Sequence, residues 1–251
     1  MGSENTTKND QAIVLKNVTR LFGSLAAVAN VSFVIEEGRV HSVIGPNGAG
    51  KTTLFNLISG NLKCSAGEIF FFGQDITHTS LYMRSRMGLG RTFQITNLFQ
   101  NLTVGENVML AMAPKEFSFK CFKLAKKKST GALALLEEFG LAEQWKTEVK
   151  HLSHGEHRRL EVILGWALNS KVLLLDEPFA GLSPGETSQM IDMIHKIKTS
   201  VTVLLVEHDF DAVFELSDKI TVMYFGRILS EGTREEIRMD PKIQEVYLGS
   251  T

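Results

Sequence analysis

A glycine-rich segment between residues 45 and 53 carries the clearest chemistry in the sequence. It matches the spacing G-x-x-x-x-G-K-[ST] and reads Gly45-Pro46-Asn47-Gly48-Ala49-Gly50-Lys51-Thr52-Thr53. Because Gly48 and Gly50 lack a Cβ atom, the backbone can curl closely around an anion with its N–H groups pointing inward. Lys51 supplies a positive charge to the β- and γ-phosphates of a nucleotide, and the Thr52 hydroxyl can bind Mg²⁺. The segment follows an apolar run and opens a helical pattern, which favours a phosphate loop over a glycine-rich turn with an incidental lysine.

Two acidic residues follow a short apolar run later in the chain. Asp176 and Glu177 come directly after Val172–Leu175, and open α/β sheets bind ligands beyond the carboxyl ends of their strands. Mg²⁺ prefers carboxylate oxygens and keeps several waters, so we assign Asp176 to the metal, through water. Glu177 is then expected to accept a proton from an attacking water, a contribution of about 10² to 10⁴-fold to the rate. The alternative is a strand that simply ends in acidic turn residues, and the phosphate loop argues against it.

The segments that must position these residues alternate between strand and helix patterns. Strands are predicted at Ala12–Lys16, Val31–Ile35, Val40–Ile44, Glu68–Phe72, Val172–Leu175 and Val201–Val206, with a hairpin of Ile220–Tyr224 and Arg227–Leu229. Helices are predicted at Thr52–Ser59, Ala132–Phe139 and Gly185–Thr199, with a capping box of Thr233 and Glu236 before a further short helix. The continuous Val and Leu runs are typical of parallel strands covered on both faces. We therefore expect an α/β core, interrupted by a helix-rich lobe from about residue 97 to 169.

The composition is that of an ordinary globular protein. Hydrophobic residues make up 43% of the 251 residues, which excludes a disordered chain. Lys and Arg number 27 against 28 Asp and Glu, and this balance argues against a dedicated nucleic-acid binder. The cysteines, Cys64 and Cys121, indicate free thiols in a reducing compartment. The polar Met1–Asp10 segment lacks the apolar core of a signal peptide, and no run suits a spanning helix, so we expect a cytosolic or peripheral protein.

A third motif gives the resemblance to a family. Leu152-Ser153-His154-Gly155-Glu156 lies upstream of Asp176, and the chain resembles the ATP-binding subunits of ABC transporters, whose signature reads LSGGQ. The resemblance covers about residues 13–248. It implies a P-loop NTPase (RecA-like) parallel core with an antiparallel β subdomain and an inserted helical subdomain. The implied single domain spans residues 11–251, with the core in 11–94 and 170–251 and the helical subdomain in about 95–169.

The resemblance also implies further site residues. Gln94 would be the Q-loop glutamine that contacts Mg²⁺ and senses the membrane partner, and Ala180-Gly181-Leu182-Ser183 would be the D-loop. His208 would be the switch histidine near the γ-phosphate, and Phe22 would place an aromatic ring against adenine. Phe22 could equally be a strand end that buries its ring. A single histidine such as His208 is usually a core or loop residue without a functional role. His208, however, follows a predicted buried strand that ends at the phosphate edge of the sheet.

The signature segment, residues 152–156, has two possible interpretations. Ser153 and Glu156 have the spacing of an ordinary capping box, whereas the family resemblance has Ser153 and Gly155 grip the γ-phosphate of a nucleotide held by a second subunit. His154 replaces a glycine and adds bulk near the anion. Glu156 replaces a glutamine and adds a negative charge. We expect these departures to weaken or slow closure of the dimer at most.

Within the family, the sequence looks most similar to importer subunits for branched-chain amino acids. The string Gly90-Arg91-Thr92-Phe93-Gln94 and the ending Val246-Tyr247-Leu248-Gly249 carry this resemblance. Importers of urea or amides, exporters of lipids or polysaccharides and, less favoured, a soluble ABC ATPase without a transport role are the alternatives. A lysine cluster is more typical of a solvated face than of a contact with lipid headgroups or an acidic partner; it comprises Lys115, Lys120, Lys123, Lys126, Lys127 and Lys128.

The resemblance implies a mechanism and a set of partners. ATP and Mg²⁺ would be sandwiched between Gly45–Thr53 of one subunit and Ser153–Gly155 of another, in a head-to-tail homodimer or heterodimer. ATP must bind the closed dimer more tightly than the open one to close it, and hydrolysis at Glu177 would reopen it. Integral membrane permease subunits would receive this motion, and a solute-binding protein would act indirectly. The subunit would lie peripherally on the cytoplasmic face of the membrane, without a nucleic-acid partner.

Overall fold

The computed structural model describes residues 10–91, 98–113 and 125–248. The strands are β1 Gln11–Phe22, β2 Leu25–Glu36, β3 Val40–Ile44, β4 Ala66–Phe71, β5 Gln74–Asp75, β6 Leu89–Arg91, β7 Val172–Asp176, β8 Thr202–Val206, β9 Lys219–Tyr224 and β10 Arg227–Gly232. The α-helices are α1 Lys51–Ser59, α2 Leu81–Met87, α3 Val104–Ala111, α4 Ala125–Glu138, α5 His154–Ala167, α6 Pro184–Ile197, α7 Phe210–Leu216, α8 Arg234–Met239 and α9 Pro241–Leu248. Short 3₁₀ turns occur at Ala142–Gln144 and Val149–His151.

The larger sheet carries the predicted parallel core. Its order is β10-β9-β3-β8-β7-β6, with parallel pairing from β9 through to β6 and an antiparallel β10 at one edge. Every residue of β3, β7 and β8 is buried, which is why these strands read as continuous apolar runs. Parallel pairing brings the carboxyl ends of β3, β7 and β8 to one edge of the sheet. The α/β class is thus confirmed.

The smaller sheet is antiparallel, with order β2-β1-β4-β5. Its first two strands are twelve residues each, much longer than the predicted Ala12–Lys16 and Val31–Ile35. Asn17 and Asn30 adopt positive φ angles of 50° and 53°, and the register shifts between Leu15 and Val18. These irregularities interrupt the alternation of buried and exposed residues, so the sequence pattern revealed only the regular half of each strand.

The core lies on both faces of the larger sheet. One set of alternate residues, including Leu173, Leu175 and Leu205, packs with helices α3 to α7. The other set, including Leu174 and Leu204, packs with α1 and the antiparallel sheet. Successive residues of a strand point to opposite faces, so two adjacent cores share the same strands and fix α1 against one side of the sheet.

The helices differ from prediction mainly at their ends. The helix predicted at Thr52–Ser59 begins one residue earlier, and the one predicted at Gly185–Thr199 is Pro184–Ile197. The helix predicted at Ala132–Phe139 is the second half of α4, because the sequence of the first half is polar and lacks an apolar helical pattern. Gly140, with φ 67°, follows the end of α4. The subdomain bounds at about residues 95 and 169 stay a prediction.

A buried arginine that the sequence pattern did not single out holds the end of α1. Arg84 of α2 is 2% exposed, and its Nη1 donates to the carbonyl oxygens of Leu57 (2.7 Å) and Ile58 (2.6 Å). These carbonyls belong to the last turn of α1, which has unpaired acceptors and the negative end of the helix dipole. The cation therefore fixes the far end of the helix that begins at the glycine-rich segment.

Candidate nucleotide-binding site

The turn from β3 into α1 has the geometry of an anion cup. Gly50 precedes α1 in a left-handed conformation with φ 97°, and no side chain caps the helix. A Cβ atom at Gly50 would overlap the carbonyl oxygen of Ala27 in β2, so this position accepts no larger residue. No acidic residue occupies the first turn of α1. The first N–H groups of the helix are therefore left for an external acceptor.

The turn between β9 and β10 lies against this cup. Gly226 donates its N–H to the carbonyl of Ala49 at 2.9 Å, and its own carbonyl accepts from Ala29 of β2 at 2.8 Å. Gly226 has φ 74°, and a Cβ atom there would lie 2.8 Å from the Ala27 carbonyl oxygen. The glycine-rich segment is thus joined by main-chain contacts to both sheets.

Lys51 folds back over its own loop. Its side chain is almost fully buried, and Nζ donates to the carbonyl oxygens of Gly45 at 2.6 Å and Pro46 at 3.1 Å. Burial lowers the pKa of this ammonium, and the carboxylates of Glu177, Glu207 and Asp176 oppose the shift. A buried cation next to this group of carboxylates is a charge arrangement suited to an anionic ligand that also carries a metal.

A cavity of about 370 Å³ opens over the cup. It is lined by Leu25, Ala26, Ala27, Asn47, Gly48, Ala49, Gly50, Lys51, Thr52, Thr53, Glu177, Phe225 and Gly226. A larger cavity of about 540 Å³ beside α4 and α5 has Glu138 as its one ionisable lining residue, among the residues described. That charge is wrong for a phosphate. Of these two cavities, the smaller one therefore has the lining that suits a phosphate.

The aromatic side chain at the cavity is Phe225, which sequence reasoning missed. It lines the cavity, is 76% exposed, and adopts φ 43° in the turn before Gly226. Phe22 is not among the lining residues; its ring lies 4.7 Å from the Arg20 guanidinium. A left-handed aromatic residue on an exposed turn is uncommon, and the Phe225-Gly226 pair in the hairpin was the only signal in the sequence.

Asp176 ends β7 as a buried carboxylate with one paired oxygen. Its Oδ2 lies 3.2 Å from Nη2 of Arg91, while Oδ1 has no hydrogen-bond partner within residues 10–91, 98–113 and 125–248. Burial raises the pKa of the Asp176 carboxyl, and the Arg91 guanidinium opposes that shift. An unpartnered buried carboxylate oxygen at this sheet edge is a donor that Mg²⁺ accepts. The residues present therefore fit a magnesium ion, although Arg91 was not foreseen as a partner.

Glu177 and His208 come together, as the sequence predicted for two residues that follow neighbouring strands. Nδ1 of His208 lies 3.9 Å from Oε1 of Glu177 and 3.7 Å from Oε2 of Glu207. Glu177 has a left-handed φ of 49°, and its N–H donates to the carbonyl of Val206 at 2.9 Å. Glu207 is a further residue that sequence reasoning passed over, because a glutamate between a strand and a histidine shows no motif of its own.

Ser153 and Gly155 lie at the start of α5 and do not line the cavity of their own chain. The capping box exists: Ser153 Oγ accepts from the N–H of Glu156 at 3.2 Å, and Glu156 Oε2 accepts from the N–H of Ser153 at 2.8 Å. Nε2 of His154 lies 3.0 Å from the carbonyl oxygen of Ala180. His154, which was expected to add bulk near the anion, thus contacts the segment after β7 in the same chain.

Three sequence-based interpretations fall outside the described residues. Gln94 lies in residues 92–97, and the first half of the lysine cluster and Cys121 lie in residues 114–124. Cys64 is described, is half-buried and is a free thiol. Within the described part of the chain, no helix is both long enough and apolar enough to cross a bilayer.

Comparison with known proteins decides the family. The sequence pattern of the ABC transporter family matches residues 28–180, more than half of the chain. The chain belongs to the ABC transporter family. It is an ATP-binding ATPase subunit of that family, and the resemblance inferred from the signature segment is confirmed.

Relatives within the ABC family align along nearly the whole chain. A probable branched-chain amino acid transport ATP-binding protein, LivG of Archaeoglobus fulgidus, is 36% identical over 244 residues, covering 94% of each sequence. The high-affinity branched-chain amino acid transport ATP-binding protein BraF of Pseudomonas aeruginosa is 37% identical over 246 residues, covering 94% of this chain and 96% of that one.

Solved structures show the same fold. The ADP conformation of an ABC transporter's ATP-binding cassette superposes with a TM-score of 0.84 at 30% identity, covering 96% of this chain and 99% of that one. A dimeric cassette in a post-hydrolysis state, bound to ADP and Pi, superposes with a TM-score of 0.75 at 25% identity, covering 88% of this chain and 98% of that one. The fold of an ABC ATPase is therefore confirmed for this chain.

Proposed function

We propose that this chain is the ATP-hydrolysing subunit of an ABC importer for branched-chain amino acids. The observation that carries the proposal is one cavity in which the cup at Gly48–Thr53 meets Glu177. The choice of solute rests on relatives named for branched-chain amino acid transport, which match more than nine tenths of both sequences. No residue of this chain is assigned to the solute, because the permease and a solute-binding protein would contact it.

Phosphate binding is assigned to the cup and Lys51. The N–H groups of Gly48–Thr53 and the positive end of the α1 dipole would surround the β- and γ-phosphates. Lys51 now donates to two carbonyl oxygens of its own loop, so binding exchanges these neutral partners for charged phosphate oxygens. Charge-assisted hydrogen bonds are roughly twice as strong as neutral ones, and this exchange therefore favours the nucleotide.

The metal would be held by Thr52, Asp176 and Gln94, with Asp176 acting through water. When bound, Mg²⁺ would neutralise charge on the β- and γ-phosphate oxygens. The carboxylate of Asp176 suits this role because Arg91 pairs with Oδ2, while Oδ1 has no hydrogen-bond partner among the described residues. Arg91 is therefore assigned to positioning rather than to contact with the nucleotide.

Hydrolysis is assigned to Glu177 with His208 beside it. A water next to Glu177 would attack the γ-phosphorus and pass a proton to the carboxylate, while the bond to the β-phosphate breaks and ADP leaves. A positioned base contributes about 10² to 10⁴-fold, which is roughly 3 to 5 kcal/mol of barrier. The His208 imidazole, 3.9 Å from Glu177, can donate to a γ-phosphate oxygen on the same side.

Ser153 and Gly155 are assigned to the nucleotide of a second subunit. They do not line the cavity of their own chain, and a similar cassette is known as a dimer with ADP and Pi. In a head-to-tail dimer, the start of α5 would close the far side of the cavity. The dimer would lie on the cytoplasmic face of a membrane, bound to permease subunits through the region of Gln94.

Transport by the assembled complex tests the proposal. The tagged chain would be purified from membranes, its permease chains identified, and the complex placed in liposomes with the solute-binding protein. We expect ATP-dependent uptake of labelled leucine, isoleucine and valine, lost with Lys51→Ala and kept with Lys63→Ala, a change at an exposed lysine. Uptake of urea instead, or turnover by the Lys51→Ala complex at the unmodified rate, would refute the proposal.

A further inference from the structure

Glu207 is a buried charge that does not line the nucleotide cavity. It follows β8 directly and is 1% exposed. Burial raises the pKa of its carboxyl, and main-chain N–H groups of Phe179, His208 and Asp209 oppose that shift. A buried carboxylate is costly unless it is hydrogen-bonded, so the groups that it accepts from indicate its role.

The two oxygens of this carboxylate reach two different segments. Oε1 accepts from the N–H of Phe179 at 2.9 Å, and Oε2 accepts from the N–H of His208 at 3.0 Å. Phe179 lies two residues beyond Glu177 in the segment after β7, whereas His208 belongs to the segment after β8. One side chain therefore joins the segment that carries the proposed base to the segment that carries the proposed phosphate contact.

Glu177 itself needs support from its surroundings. It is a non-glycine residue with φ 49°, a sparsely populated conformation that persists only where neighbouring groups hold it. On one side, its N–H donates to the carbonyl of Val206, the last residue of β8. On the other side, the bond from Phe179 to Glu207 fixes the chain two residues later. Both anchors come from β8 and the residue after it.

We propose that Glu207 is a positioning residue that holds Glu177 and His208 in their mutual arrangement for hydrolysis. The inference rests on the roles proposed above for Glu177 and His208. Glu207 touches neither nucleotide nor metal in this scheme; it acts through the main-chain N–H groups of Phe179 and His208 and through the imidazole of His208, whose Nδ1 lies 3.7 Å from Oε2. Replacing it with glutamine keeps the size of the side chain but turns one acceptor into an N–H₂ donor, so one of the two links must be lost.

The first test separates catalysis from binding. In the assembled complex, Glu207→Gln should lower kcat by about tenfold or more and change the Kd for ATP by less than about twofold, because Lys51 and the cup are untouched. Calorimetry and steady-state ATP hydrolysis provide the two measurements. Unchanged kcat, or a Kd that rises as much as kcat falls, would overturn the inference.

The second test asks whether Glu207 acts through His208. Adding Glu207→Gln to His208→Ala should lower kcat by a smaller factor than Glu207→Gln does in the otherwise unmodified chain, since residues that work as a unit are not additive. Thr221→Val is the matched control, because this hydroxyl is buried in β9 of the same sheet and pairs with His41. The factor by which Thr221→Val lowers kcat should be the same with and without His208→Ala. Full multiplication of the Glu207→Gln and His208→Ala losses would refute the positioning role.

Three further variants keep the outcome decisive. Glu207→Asp keeps the charge but shortens the reach, so it should give the same pattern if Glu207→Gln fails to fold. Lys51→Ala and Glu177→Gln are measured beside it. Wild-type turnover in those variants would refute the proposed roles themselves. If Lys51→Ala and Glu177→Gln lose activity but kcat is unchanged in the variants of Glu207, the role of Glu207 is refuted and the proposed function is not.

Discussion

Arg91 and Asp176 form a buried ion pair at the carboxyl end of β7, with Nη2 of the arginine 3.2 Å from Oδ2 of the carboxylate. Nη1 of Arg91 also donates to Asn56 Oδ1 at 2.7 Å and Ser59 Oγ at 2.9 Å, both on α1. The arginine therefore links the carboxylate assigned to the metal with the helix that begins at the phosphate cup. It is also the last residue of β6.

Removing this arginine should cost stability as well as activity. We expect Arg91→Met to lower the free energy of unfolding by about 3–5 kcal/mol, because breaking a buried pair leaves an uncompensated charge. Arg39→Met is the matched control, since Arg39 is exposed and lies 3.8 Å from Glu36, a pair worth about 0–1 kcal/mol. Denaturant unfolding measures both. Equal losses in the two variants would contradict the importance of the buried pair.

Glu177→Gln should separate ATP binding from turnover. The amide keeps the shape of the side chain but cannot accept the proton of the attacking water, so we expect ATP affinity within about threefold and a kcat reduced by about 10² to 10⁴-fold. Because the bound ATP is not hydrolysed, an ATP-dependent dimer should accumulate, and light scattering would detect it. Glu231→Gln, a change at a strand β10 carboxylate paired with Lys219, is the control. Wild-type turnover in Glu177→Gln would remove the base assignment.

Ser153→Ala should impair dimer closure more than ATP binding to the monomer. Thr103→Ala is matched to it, because Thr103 and Glu106 form an equivalent capping box at α3, with bonds of 2.7 and 3.2 Å. Both variants should lose about 1 kcal/mol of stability through the lost cap. Only Ser153→Ala should weaken the ATP-dependent dimer in light scattering. If closure weakens equally in both, Ser153 acts as a cap and nothing more.

Phe225 and Phe22 can be compared as contacts for the adenine ring of ATP. Phe225 lines the cavity, and stacking on an aromatic ring is worth about 1–3 kcal/mol per base, so Phe225→Ala should raise the Kd for ATP by about tenfold. The Kd for tripolyphosphate should not change, because it has no base. Phe22→Ala should have the smaller effect, and Tyr82→Ala, at an exposed ring on α2, should have none. A larger effect of Phe22→Ala would restore the assignment from family resemblance.

His41 should make the protein sensitive to acid. It is buried in β3 with Nε2 2.8 Å from Thr221 Oγ1, and burial, aided by Lys219, lowers its pKa from 6.5 to about 3. The unfolded chain therefore binds a proton near pH 6.5 that the folded chain excludes. Stability should fall as the pH drops through this window, by about 2 kcal/mol between pH 6.5 and 4.5.

Urea unfolding at those two pH values measures this effect. Carboxyl groups such as Asp176 and Glu207, whose pKa values burial raises, act in the opposite direction, so the comparison is with His41→Gln. That variant keeps a partner for Thr221 but has no titrating group, so its stability should fall by about 2 kcal/mol less over the same range. The same fall in both proteins would exclude His41 as the cause.

The sequence was a better guide to the residues that are proposed to contact the nucleotide than to the residues that position their side chains. Lys51, Asp176 and Glu177 each belong to a local pattern at the end of an apolar run, so chain spacing alone places them at one sheet edge. Arg91 reaches Asp176 across 85 positions of sequence, and only the pairing of β6 with β7 brings them together.

Glu207 and Phe225 show the same limit. Glu207 accepts hydrogen bonds from main-chain N–H groups of two separate segments. No pattern of residue types encodes which N–H groups point at a carboxylate. Phe225 reaches the cavity because the β9–β10 turn lies against β2, which belongs to the other sheet. Contacts between elements that are distant in the chain determine the surroundings of both residues. Such contacts depend on packing rather than on the periodicity of the sequence.

The contacts of Gly226 have a consequence for how tightly ligands can bind. Since this residue bonds to Ala49 on one side and Ala29 on the other, the main chain of the proposed phosphate loop is anchored to both sheets before any ligand binds. Binding then incurs little entropy loss for ordering the receptor, which otherwise subtracts from affinity. Free energy from the triphosphate is left for bringing two protomers together.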